Sequence, residues 1–596
     1  MEVPLERPPH LSRPSARNGR LSAEQRSRDL ASMEGTVLDV LVVGGGVVGA
    51  GAALDAASRG LLVGIVEQRD WAAGSSSRSS RLAHGGLRYL EHLEFGLVRE
   101  ALTERGLLLD VIAPHLVKPV PFILPIRRRR EQAYLGAGVL LYDILARCAR
   151  PRRGRLPRHR HLSHRATVQL APGLDPAAFS SSLKFYDAQV DDASHTLAVV
   201  RTAKTFGALA ASRTEVVGID GSGDGDAQGS VRVVRAVDHE SNRDVVLRAR
   251  VVIGATGAWT TSTDGLLGPD LDREATDGMA PSKGVHLVIR GSAIDLQAAL
   301  IARTSRSVLF VLPWGPTWLV GTTDTPWTGS LDDPPVDSAD VDYLLGEVNR
   351  WLSRPIGHVD VVSSYAGIRP LALTGRRTPG RRDLKKAGAR EVDTTAVSRE
   401  HVVRRTQPGL VQVFGGKYTT YRVMAADAVD AALVDLGSEA GVSRTADIPV
   451  VGARGFRGLW SAREVLAEQL GLDLAQVERL LRRYGDEILS VLAPAISGPE
   501  LLEPLVPGSP VIGAEAVYAA THEGALTVAD VLDRRTRLAL AAPADVGAAA
   551  PRVAALLGDV LGWDSARIAE AAEEYTAGRT FPVSPAHSTT PLEHTS

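Results

Sequence analysis

The feature that most constrains this chain is a short apolar segment followed at once by a glycine-rich turn. Residues 37–43 are mostly Val and Leu, which is typical of a strand buried on both faces of a parallel sheet. Gly44, Gly46 and Gly49 follow in the spacing G-x-G-x-x-G, and a helical pattern occupies residues 47–58. The order of strand, glycine turn and helix predicts the first unit of a Rossmann-like dinucleotide-binding domain.

Each glycine of the turn has its own physical task. Gly44 permits the tight turn, Gly46 lets the backbone approach a pyrophosphate, and Gly49 lets the helix pack close to the strand. The helix N-terminus offers unpaired N–H groups and a positive dipole to the phosphates. A second apolar strand, residues 61–66, ends at Glu67, where a carboxylate can bind a ribose hydroxyl pair. The fingerprint alone leaves FAD and NAD open.

A run of serines and a histidine-containing motif come next along the chain. We call residues 74–80, which contain five serines, the serine loop. Its hydroxyl and N–H groups suit a second contact with a pyrophosphate. His84, Arg88 and Tyr89 then place an imidazole, a guanidinium and a phenol around a pair of glycines. This combination favours a binding site over a flexible surface loop.

Length and composition set the broad class. A chain of 596 residues is too long for one core, so two or three domains are expected. The formal net charge of -1 gives no field for nucleic acid, and no nucleic-acid partner is predicted. Cys148, the only cysteine, excludes an internal disulfide and a cysteine-cluster metal site, and we predict no metal. The sequence contains no run of about 18 apolar residues, so no transmembrane helix is predicted.

A second strand end favours FAD over NAD. Alternating apolar residues between 212 and 251 predict a β-meander, whose last strand covers residues 249–253. Ala255, Thr256 and Gly257 follow directly and would bring this strand end against the cofactor. Such a return strand is typical of FAD-binding folds and is not needed by NAD-binding ones.

Three stretches resemble the FAD-dependent glycerol-3-phosphate dehydrogenase family. They are residues 43–60, residues 79–91, and residues 413–425, which begin with Val-Phe-Gly-Gly-Lys-Tyr-Thr-Thr. Shorter matches are a Lys-Gly-x-His and a Gly-Ile-Arg-Pro-Leu motif. The chain departs from the family at Arg81, where Lys is usual, and at Tyr418, where Leu is usual.

The resemblance implies a fold class and an activity. The fold is α/β with an added α region: a Rossmann-like FAD-binding domain interleaved with an antiparallel-sheet substrate domain over residues 36–440, then an all-helical C-terminal domain over residues 445–581. The activity is oxidation of sn-glycerol 3-phosphate to dihydroxyacetone phosphate, with hydride transfer from C2 to FAD and a membrane quinone as electron acceptor. The expected location is cytoplasmic, at the inner face of the plasma membrane. The oligomeric state stays open, with a homodimer as one candidate.

The substrate site needs cations and a base. A partly buried phosphate dianion requires several positive groups. The candidate cations are Arg88, Arg369, Arg399 and Lys417. Arg369 falls on the family's substrate arginine and is counted with the catalytic residues. His84 is the first candidate for the base that removes the C2 hydroxyl proton, His286 is the second, and the choice between them stays open. Tyr89 is expected to orient the substrate.

Residues that contact FAD are expected in and between the three stretches that resemble the family. In the third stretch a strand meets two glycines and a helix begins, whose N-terminus can stabilise the negative charge of reduced flavin. The family generally holds FAD non-covalently. The residues predicted to contact FAD are Gly44, Gly45, Gly46, Gly49, Glu67, Gln68, Ser75, Ser76, Ser79, Ser80, Ala255, Thr256, Gly257, Gly416, Lys417, Thr419 and Thr420.

Two arginine-rich stretches predict a surface through which the protein attaches to a membrane. Arginines at 127–130 and a second basic stretch at 147–165 flank an apolar helical segment, residues 134–146. Basic flanks around an apolar helix favour attachment to an anionic membrane face. A solvated charge run is one alternative; a nucleic-acid patch is a weaker one, because no aromatic residues are interleaved with the arginines. Three rival activities also stay open: a glycerol-3-phosphate oxidase that uses O₂, a flavin amine or amino-acid oxidase, and a non-catalytic FAD-binding protein.

The two ends of the chain differ in character from its middle. Residues 1–35 and 582–596 are rich in polar residues and prolines and are predicted to be disordered tails. Helical spacing of Leu and Ala begins near residue 447. The predicted C-terminal helices cover residues 461–470, 474–484, 514–520, 528–538, 553–561 and 565–575.

Overall fold

The computed structural model describes residues 19–91, 93–148, 156–220, 231–261, 279–304, 308–372, 400–577 and 579. In chain order the strands are β1 (Val37–Val43), β2 (Val63–Val66), β3 (Leu82–Ala83), β4 (Val117–Ile126), β5 (Arg160–Ser163), β6 (Ser181–Val190), β7 (Leu209–Ala211), β8 (Thr214–Asp220), β9 (Arg232–Asp238), β10 (Arg243–Gly254), β11 (Met279–Arg290), β12 (Ala299–Arg303), β13 (Val308–Trp314), β14 (Thr317–Gly321), β15 (Thr325–Pro326), β16 (Val361–Ala372), β17 (His401–Gln407) and β18 (Leu410–Gly415). The α-helices are α1 (Ala23–Glu34), α2 (Val47–Ser58), α3 (Phe95–Leu107), α4 (Arg129–Cys148), α5 (His164–Leu170), α6 (Asp192–Thr205), α7 (Ser338–Asn349), α8 (Tyr421–Leu436), α9 (Phe456–Ser461), α10 (Arg463–Leu470), α11 (Leu474–Tyr484), α12 (Ile488–Leu492), α13 (Gly513–His522), α14 (Leu538–Ala541), α15 (Pro543–Leu561) and α16 (Ser565–Thr576).

The glycine turn lies at the centre of a mostly parallel sheet. Strand β1 pairs in parallel with β2 on one side and with β10 on the other, and the sheet continues to β7 and to β18 and β17. Helices α2, α6 and α8 pack on one face, while α1 and the antiparallel strands β8 and β9 cover the other. Because β1 is buried on both faces, its composition is apolar almost throughout. The carboxyl ends of β1, β2 and β10 open at one edge, where α/β sheets bind ligands.

A second, mostly antiparallel sheet faces that edge. Its order is β15-β11-β14-β13-β12-β4-β6-β3, with β16 paired to β11 and β5 paired to β6. Its strands alternate along the chain with those of the parallel sheet. Strand β16 packs against β18 and the short turn Gly257–Trp259. The two interleaved sheets and the helical C-terminal region confirm the predicted fold class.

The C-terminal region is helical from α9 to α16. Helix α11 spans Leu474–Tyr484, the range predicted for it. The prediction of a helix over residues 528–538 is wrong in detail, because a π-helical turn, Asp530–Arg535, precedes Arg537, which has a positive φ of 60°. The predicted limits of the domains remain predictions, as does the C-terminal tail, which lies outside the described residues. Within the described part of the chain, no helix is both long and apolar enough to cross a membrane.

The prediction of a disordered segment over residues 1–35 is wrong for its second half. Residues 1–18 lie outside the described residues, but α1 begins shortly after them, at Ala23. Its N-cap is Ser22, whose hydroxyl accepts a hydrogen bond from the N–H of Gln25 at 3.2 Å. Leu30 and Met33 are buried against the parallel sheet. This short N-terminal helix is therefore part of the core.

Charged residues on the buried face of α1 explain why composition missed it. Arg26 forms a buried ion pair with Asp238, and Asp29 forms one with Lys204. These side chains lie on the same helical face as the two apolar residues that are buried. A polar composition normally indicates a segment that cannot bury enough apolar surface to order itself. Here long-range ion pairs, which composition does not reveal, fix the helix.

Candidate active site

A cavity of about 350 Å³ opens where the ends of the parallel strands meet the second sheet. Its wall includes most of the predicted site residues: Gly44, Gly46, Glu67, Gln68, Ser75, Ser76, Ser79, Ser80, His84, Tyr89, Ala255, Thr256, Gly257, His286, Arg369, Gly416, Lys417 and Thr419. Gly45, Gly49 and Thr420 are not part of the wall. Arg399 lies outside the described residues, and for Arg88 the structure describes only the backbone, in the turn Leu87–Leu90.

Two glycines of the turn, Gly44 and Gly49, have no room for side chains, which fits a close approach of backbone to a ligand. Gly44 has a φ of +113°, and a Cβ there would lie 2.5 Å from the carbonyl oxygen of Ala255. A Cβ at Gly49 would overlap the carbonyl oxygen of Gly44. At Gly46 the only close atom is the hydroxyl oxygen of Ser76, at 3.1 Å, so this position faces the cavity. The N-terminus of α2 therefore meets the cavity as a dinucleotide site requires.

Glu67 sits behind the glycine turn at the end of β2. Its carboxylate accepts hydrogen bonds from the N–H groups of Gly45 at 2.7 Å and Arg69 at 2.9 Å. Burial raises the pKa of Glu67 above its usual range, although these hydrogen bonds act in the opposite direction. The carboxylate thus ties the glycine turn to the second strand from a position on the cavity wall.

The serine loop is bonded to several elements around the cavity. The hydroxyl of Ser75 donates to the carbonyl of Ile368, and that of Ser76 accepts from the N–H of Val47 at 2.9 Å, which caps α2. The Ser79 hydroxyl donates to Asp192 at 2.7 Å. These contacts place the loop between the helix start and the second sheet, beside the predicted phosphate position.

The strand end of β18 supplies a second helix N-terminus. Gly415 and Gly416 have φ values of 77° and 70°, and the turn Tyr418–Thr420 leads into α8. Thr419 Oγ1 accepts from the N–H of His84 at 3.1 Å, so this turn also fixes the backbone of the first candidate base. Thr420 is buried and contacts the carbonyl of Lys417 instead of the cavity.

His286 is a buried, neutral histidine on the cavity wall. Its Nε2 is 2.9 Å from the hydroxyl of Ser80, and its ring stacks on Tyr365 with centroids 4.9 Å apart. Its Nδ1 has no hydrogen-bond partner among the described residues. Burial, with smaller contributions from the cations of Arg369 and Arg81, lowers the pKa of His286 to about 3. The imidazolium form is therefore strongly disfavoured here.

His84 differs from His286 in its surroundings. It is only partly buried, and its ring lies 6.5 Å from that of Phe310. The next residue, Gly85, donates its N–H to the hydroxyl of Tyr142 at 2.8 Å. Tyr142 in turn donates to Asp187 at 2.8 Å. A buried network thus holds the backbone of this motif from behind.

Two predicted substrate cations converge on the cavity. Arg369 Nη2 donates to the hydroxyl of Thr322 at 2.8 Å, and Nη1 donates to the carbonyl of Thr323 at 3.2 Å. Lys417 Nζ lies 3.6 Å from the ring centroid of Tyr89, a cation–π contact. The arrangement can bind an anion and orient it with an aromatic neighbour.

Two contacts around the site were not expected from the sequence. The guanidinium of Arg81 is fully buried, lies 3.8 Å from the ring centroid of Trp314, and has no hydrogen-bond partner among the described residues. The hydroxyl of Tyr418 donates to the carbonyl of Asp192 at 2.8 Å. Both residues stand where the sequence departs from the family pattern, and that departure was the only available signal.

Comparisons with known proteins agree with this geometry. The family described as FAD dependent oxidoreductase matches residues 39–422, and the C-terminal domain of alpha-glycerophosphate oxidase matches residues 443–568. Glycerol-3-phosphate dehydrogenase 2 of Mycobacterium tuberculosis is 44% identical over 540 residues, which cover 90% of this chain and 87% of the relative. The mitochondrial glycerol-3-phosphate dehydrogenase of Homo sapiens is 35% identical over 559 residues, covering 90% of this chain and 73% of the relative.

A solved structure gives the same result. The glycerol-3-phosphate dehydrogenase from Bacillus halodurans, complexed with FAD, superimposes with a TM-score of 0.72 and 26% sequence identity, covering 93% of this chain and 97% of that chain. The family match spans more than half of the chain, and the relatives span most of it. The chain therefore belongs to the FAD-dependent glycerol-3-phosphate dehydrogenase family, and FAD is its cofactor.

Proposed function

We propose that this protein oxidises sn-glycerol 3-phosphate to dihydroxyacetone phosphate and passes the electrons to a membrane quinone. The observation that carries the proposal is the composition of one cavity wall. It holds a dinucleotide turn at one side together with His84, His286, Arg369 and Lys417. An alcohol oxidation needs a cofactor, a base and, for this substrate, cations for a phosphate.

The cations determine which substrate suits the site. Arg369 presents a guanidinium whose forked N–H donors match phosphate oxygens, and Lys417 adds a second positive charge. An amino acid would need one cation for its carboxylate, so the pair of cations favours a phosphate. Tyr89, already in contact with the ammonium of Lys417, would orient the carbon chain.

The proton of the C2 hydroxyl requires a base on the cavity wall. We assign this role to His84, because His286 has a pKa of about 3 and resists protonation. Neutral His286 can still donate or accept one hydrogen bond to the substrate through Nδ1, since Nε2 faces Ser80. The glycine turn, the serine loop and the turn before α8 would hold the cofactor. FAD, when bound, supplies the acceptor for the hydride from C2.

We propose that the protein attaches to the membrane through the exposed side of α4. Tyr134, Leu140 and Ile144 are 60%, 50% and 47% exposed and lie along one side of the helix. Arg127 and Arg128 are exposed just before it. An exposed apolar stripe with basic residues at its end suits an anionic lipid surface, because burial and charge act together. Electrons would then reach a quinone in that membrane.

The function can be tested by mixing the holoenzyme with substrate without oxygen. We expect sn-glycerol 3-phosphate to bleach the flavin absorbance band, and glycerol or sn-glycerol 1-phosphate to leave it unchanged. A quinone analogue should then restore the band quickly, whereas air should restore it slowly. Fast recovery in air with peroxide formation would identify an oxidase instead, and an unchanged flavin band would refute the substrate assignment.

A further inference from the structure

Three arginines of the C-terminal helical region reach two loops beside the cavity. Two of them, Arg534 and Arg535, form ion pairs with Asp70. Asp70 is only 2% exposed and lies just after Glu67, on the side of the cavity predicted to hold the ribose. The helical region therefore contacts the chain directly behind β2.

The third arginine, Arg537, reaches the serine loop by two routes. Its Nη1 donates to the carbonyl of Ser77 at 3.1 Å, and its Nη2 donates to Oδ1 of Asp192. The other carboxylate oxygen of Asp192 accepts from the N–H of Ser79 at 3.0 Å and from its hydroxyl at 2.7 Å. One guanidinium thus fixes the loop at Ser77 directly and at Ser79 through a buried aspartate.

The serine loop depends on such outside contacts for its shape. Its regular part is one short 3₁₀ turn, Ser75–Ser77, which is too short to be stable alone. The loop nevertheless carries Ser76, which caps α2, and Ser80, which contacts His286. A shift of the loop would therefore disturb both the phosphate end of the site and the second histidine.

We propose that Arg537 is a positioning residue for FAD, through which the helical domain completes the nucleotide site by fixing the serine loop. Hydrogen bonds between charged, buried groups are the stronger kind, and Arg537 makes one to Asp192. A loop held in place before binding does not have to be ordered by the ligand, which increases affinity. The inference rests on the proposed contact of the serine loop with FAD.

Arg201 provides a matched control for this role. It lies on α6 and also joins the two parts of the chain, donating to the hydroxyl of Tyr518 at 3.0 Å and to Glu487 at 3.1 Å. Its side chain is 7% exposed, compared with 6% for Arg537. It has no hydrogen bond to the serine loop or to Asp192. Loss of either arginine should weaken the contact between domains, but only one should affect the cofactor loop.

The test is titration of flavin-free protein with FAD, followed by flavin fluorescence, together with the melting temperature of the same apoprotein. Arg537→Gln should raise the Kd for FAD by about tenfold, the effect of losing one hydrogen bond between charged groups. Arg201→Gln should lower the melting temperature similarly but leave the Kd for FAD near the wild-type value. Equal changes of Kd in the two variants, or a wild-type Kd in Arg537→Gln, would overturn the proposal.

A second pair of variants covers the case in which Arg537→Gln does not fold. Arg537→Lys keeps the charge opposite Asp192 but cannot reach the Ser77 carbonyl at the same time, so a weaker affinity for FAD is still expected. Arg201→Lys is its control and should bind FAD like the wild type. A wild-type Kd in Arg537→Lys would count against the proposal. Failure of the wild-type protein itself to bind FAD would instead refute the cofactor site.

Discussion

At the scale of single residues, Arg369, the proposed ligand of the substrate phosphate, also affects the basicity of His286. Its positive charge is one of the two that lower the pKa of this histidine in addition to burial. A bound phosphate would pair with the guanidinium and offset that charge. The imidazole would then be more basic with substrate present than without it. The site would thus change its proton affinity only when the substrate phosphate is in place.

Replacement of Arg369 should therefore weaken binding of the substrate. We expect Arg369→Gln to raise KM for glycerol 3-phosphate by roughly ten- to a hundredfold, because a hydrogen bond between charged groups is lost. Steady-state kinetics under a fixed acceptor concentration would measure this. Arg290→Gln is the control, since Arg290 is an exposed arginine at the end of β11, the strand that pairs with the Arg369 strand β16. An unchanged KM in Arg369→Gln would contradict the proposed phosphate site.

At the scale of elements, the proposed FAD site depends on the close packing at the start of α2. The helix packs so closely on the turn before it that Gly49 touches the backbone of Gly44. The sequence predicted this contact because the glycine spacing reflects local backbone geometry, which nearby residues decide. The sequence could not predict the cap of the same helix by Ser76, because a hydroxyl from a separate loop supplies it.

A single methyl group should test the packing of α2. We expect Gly49→Ala to weaken FAD binding by roughly ten- to a hundredfold, because the added carbon pushes the helix away from the turn. The flavin content of the purified protein and its Kd for FAD would report the change. Gly346→Ala on α7 is the control: its added carbon meets no atom within 4 Å, so FAD binding should stay normal.

If the protein attaches to membranes through α4, changes on the exposed side of this helix should weaken that attachment. Leu140→Asp together with Ile144→Asp should reduce binding to anionic vesicles by at least about tenfold, because two apolar contacts are lost and negative charge is added. Co-sedimentation with vesicles measures the effect. Val442→Asp, at a site that is 85% exposed elsewhere on the protein, should bind vesicles like the wild type. Equal binding by all three proteins would refute attachment through α4.

At the scale of the whole molecule, contacts between distant parts of the chain are what the sequence could not predict. The strands of the dinucleotide unit, the fold class and many of the residues on the cavity wall followed from local patterns and from three matching stretches. The pairing of Arg537 with Asp192 joins residues 345 positions apart, and nothing local distinguishes that arginine from its neighbours. The helix α1 was missed for the same reason, since its charged residues find their partners far along the chain.

Buried histidines give the molecule a stability that depends on pH. His115 is 2% exposed, and burial lowers its pKa to about 3, with His195 and Arg483 contributing less. Above pH 6.5 this histidine is neutral in both the folded and the unfolded state, so it does not change the free energy of unfolding. Below that pH the unfolded state binds a proton that the folded state does not. Stability is therefore lost as the pH falls from about 6.5 towards 3.

A comparison of two pH values should isolate this contribution. In the wild type, His115 should account for about 2 kcal/mol of the stability lost between pH 7 and pH 5. His115→Gln should remove that part of the loss, as measured by urea unfolding at both values. His358→Gln is the control, because His358 is exposed. An equal pH dependence in His115→Gln and the wild type would contradict the neutral, buried histidine.

The pairing of β1 with β10 and of β10 with β18 also determines when the protein can fold during its synthesis. Strand β1 ends at Val43, whereas β10 begins at Arg243 and β18 at Leu410. At the usual rate of translation, β10 and β18 are synthesised from about ten seconds to about a minute after β1 and the apolar helix α2. In that interval β1 can pair with β2, but its other edge, which pairs with β10, stays open. The proposed nucleotide-binding segment is thus made early and completed late, which leaves it prone to aggregation while the rest of the chain is synthesised.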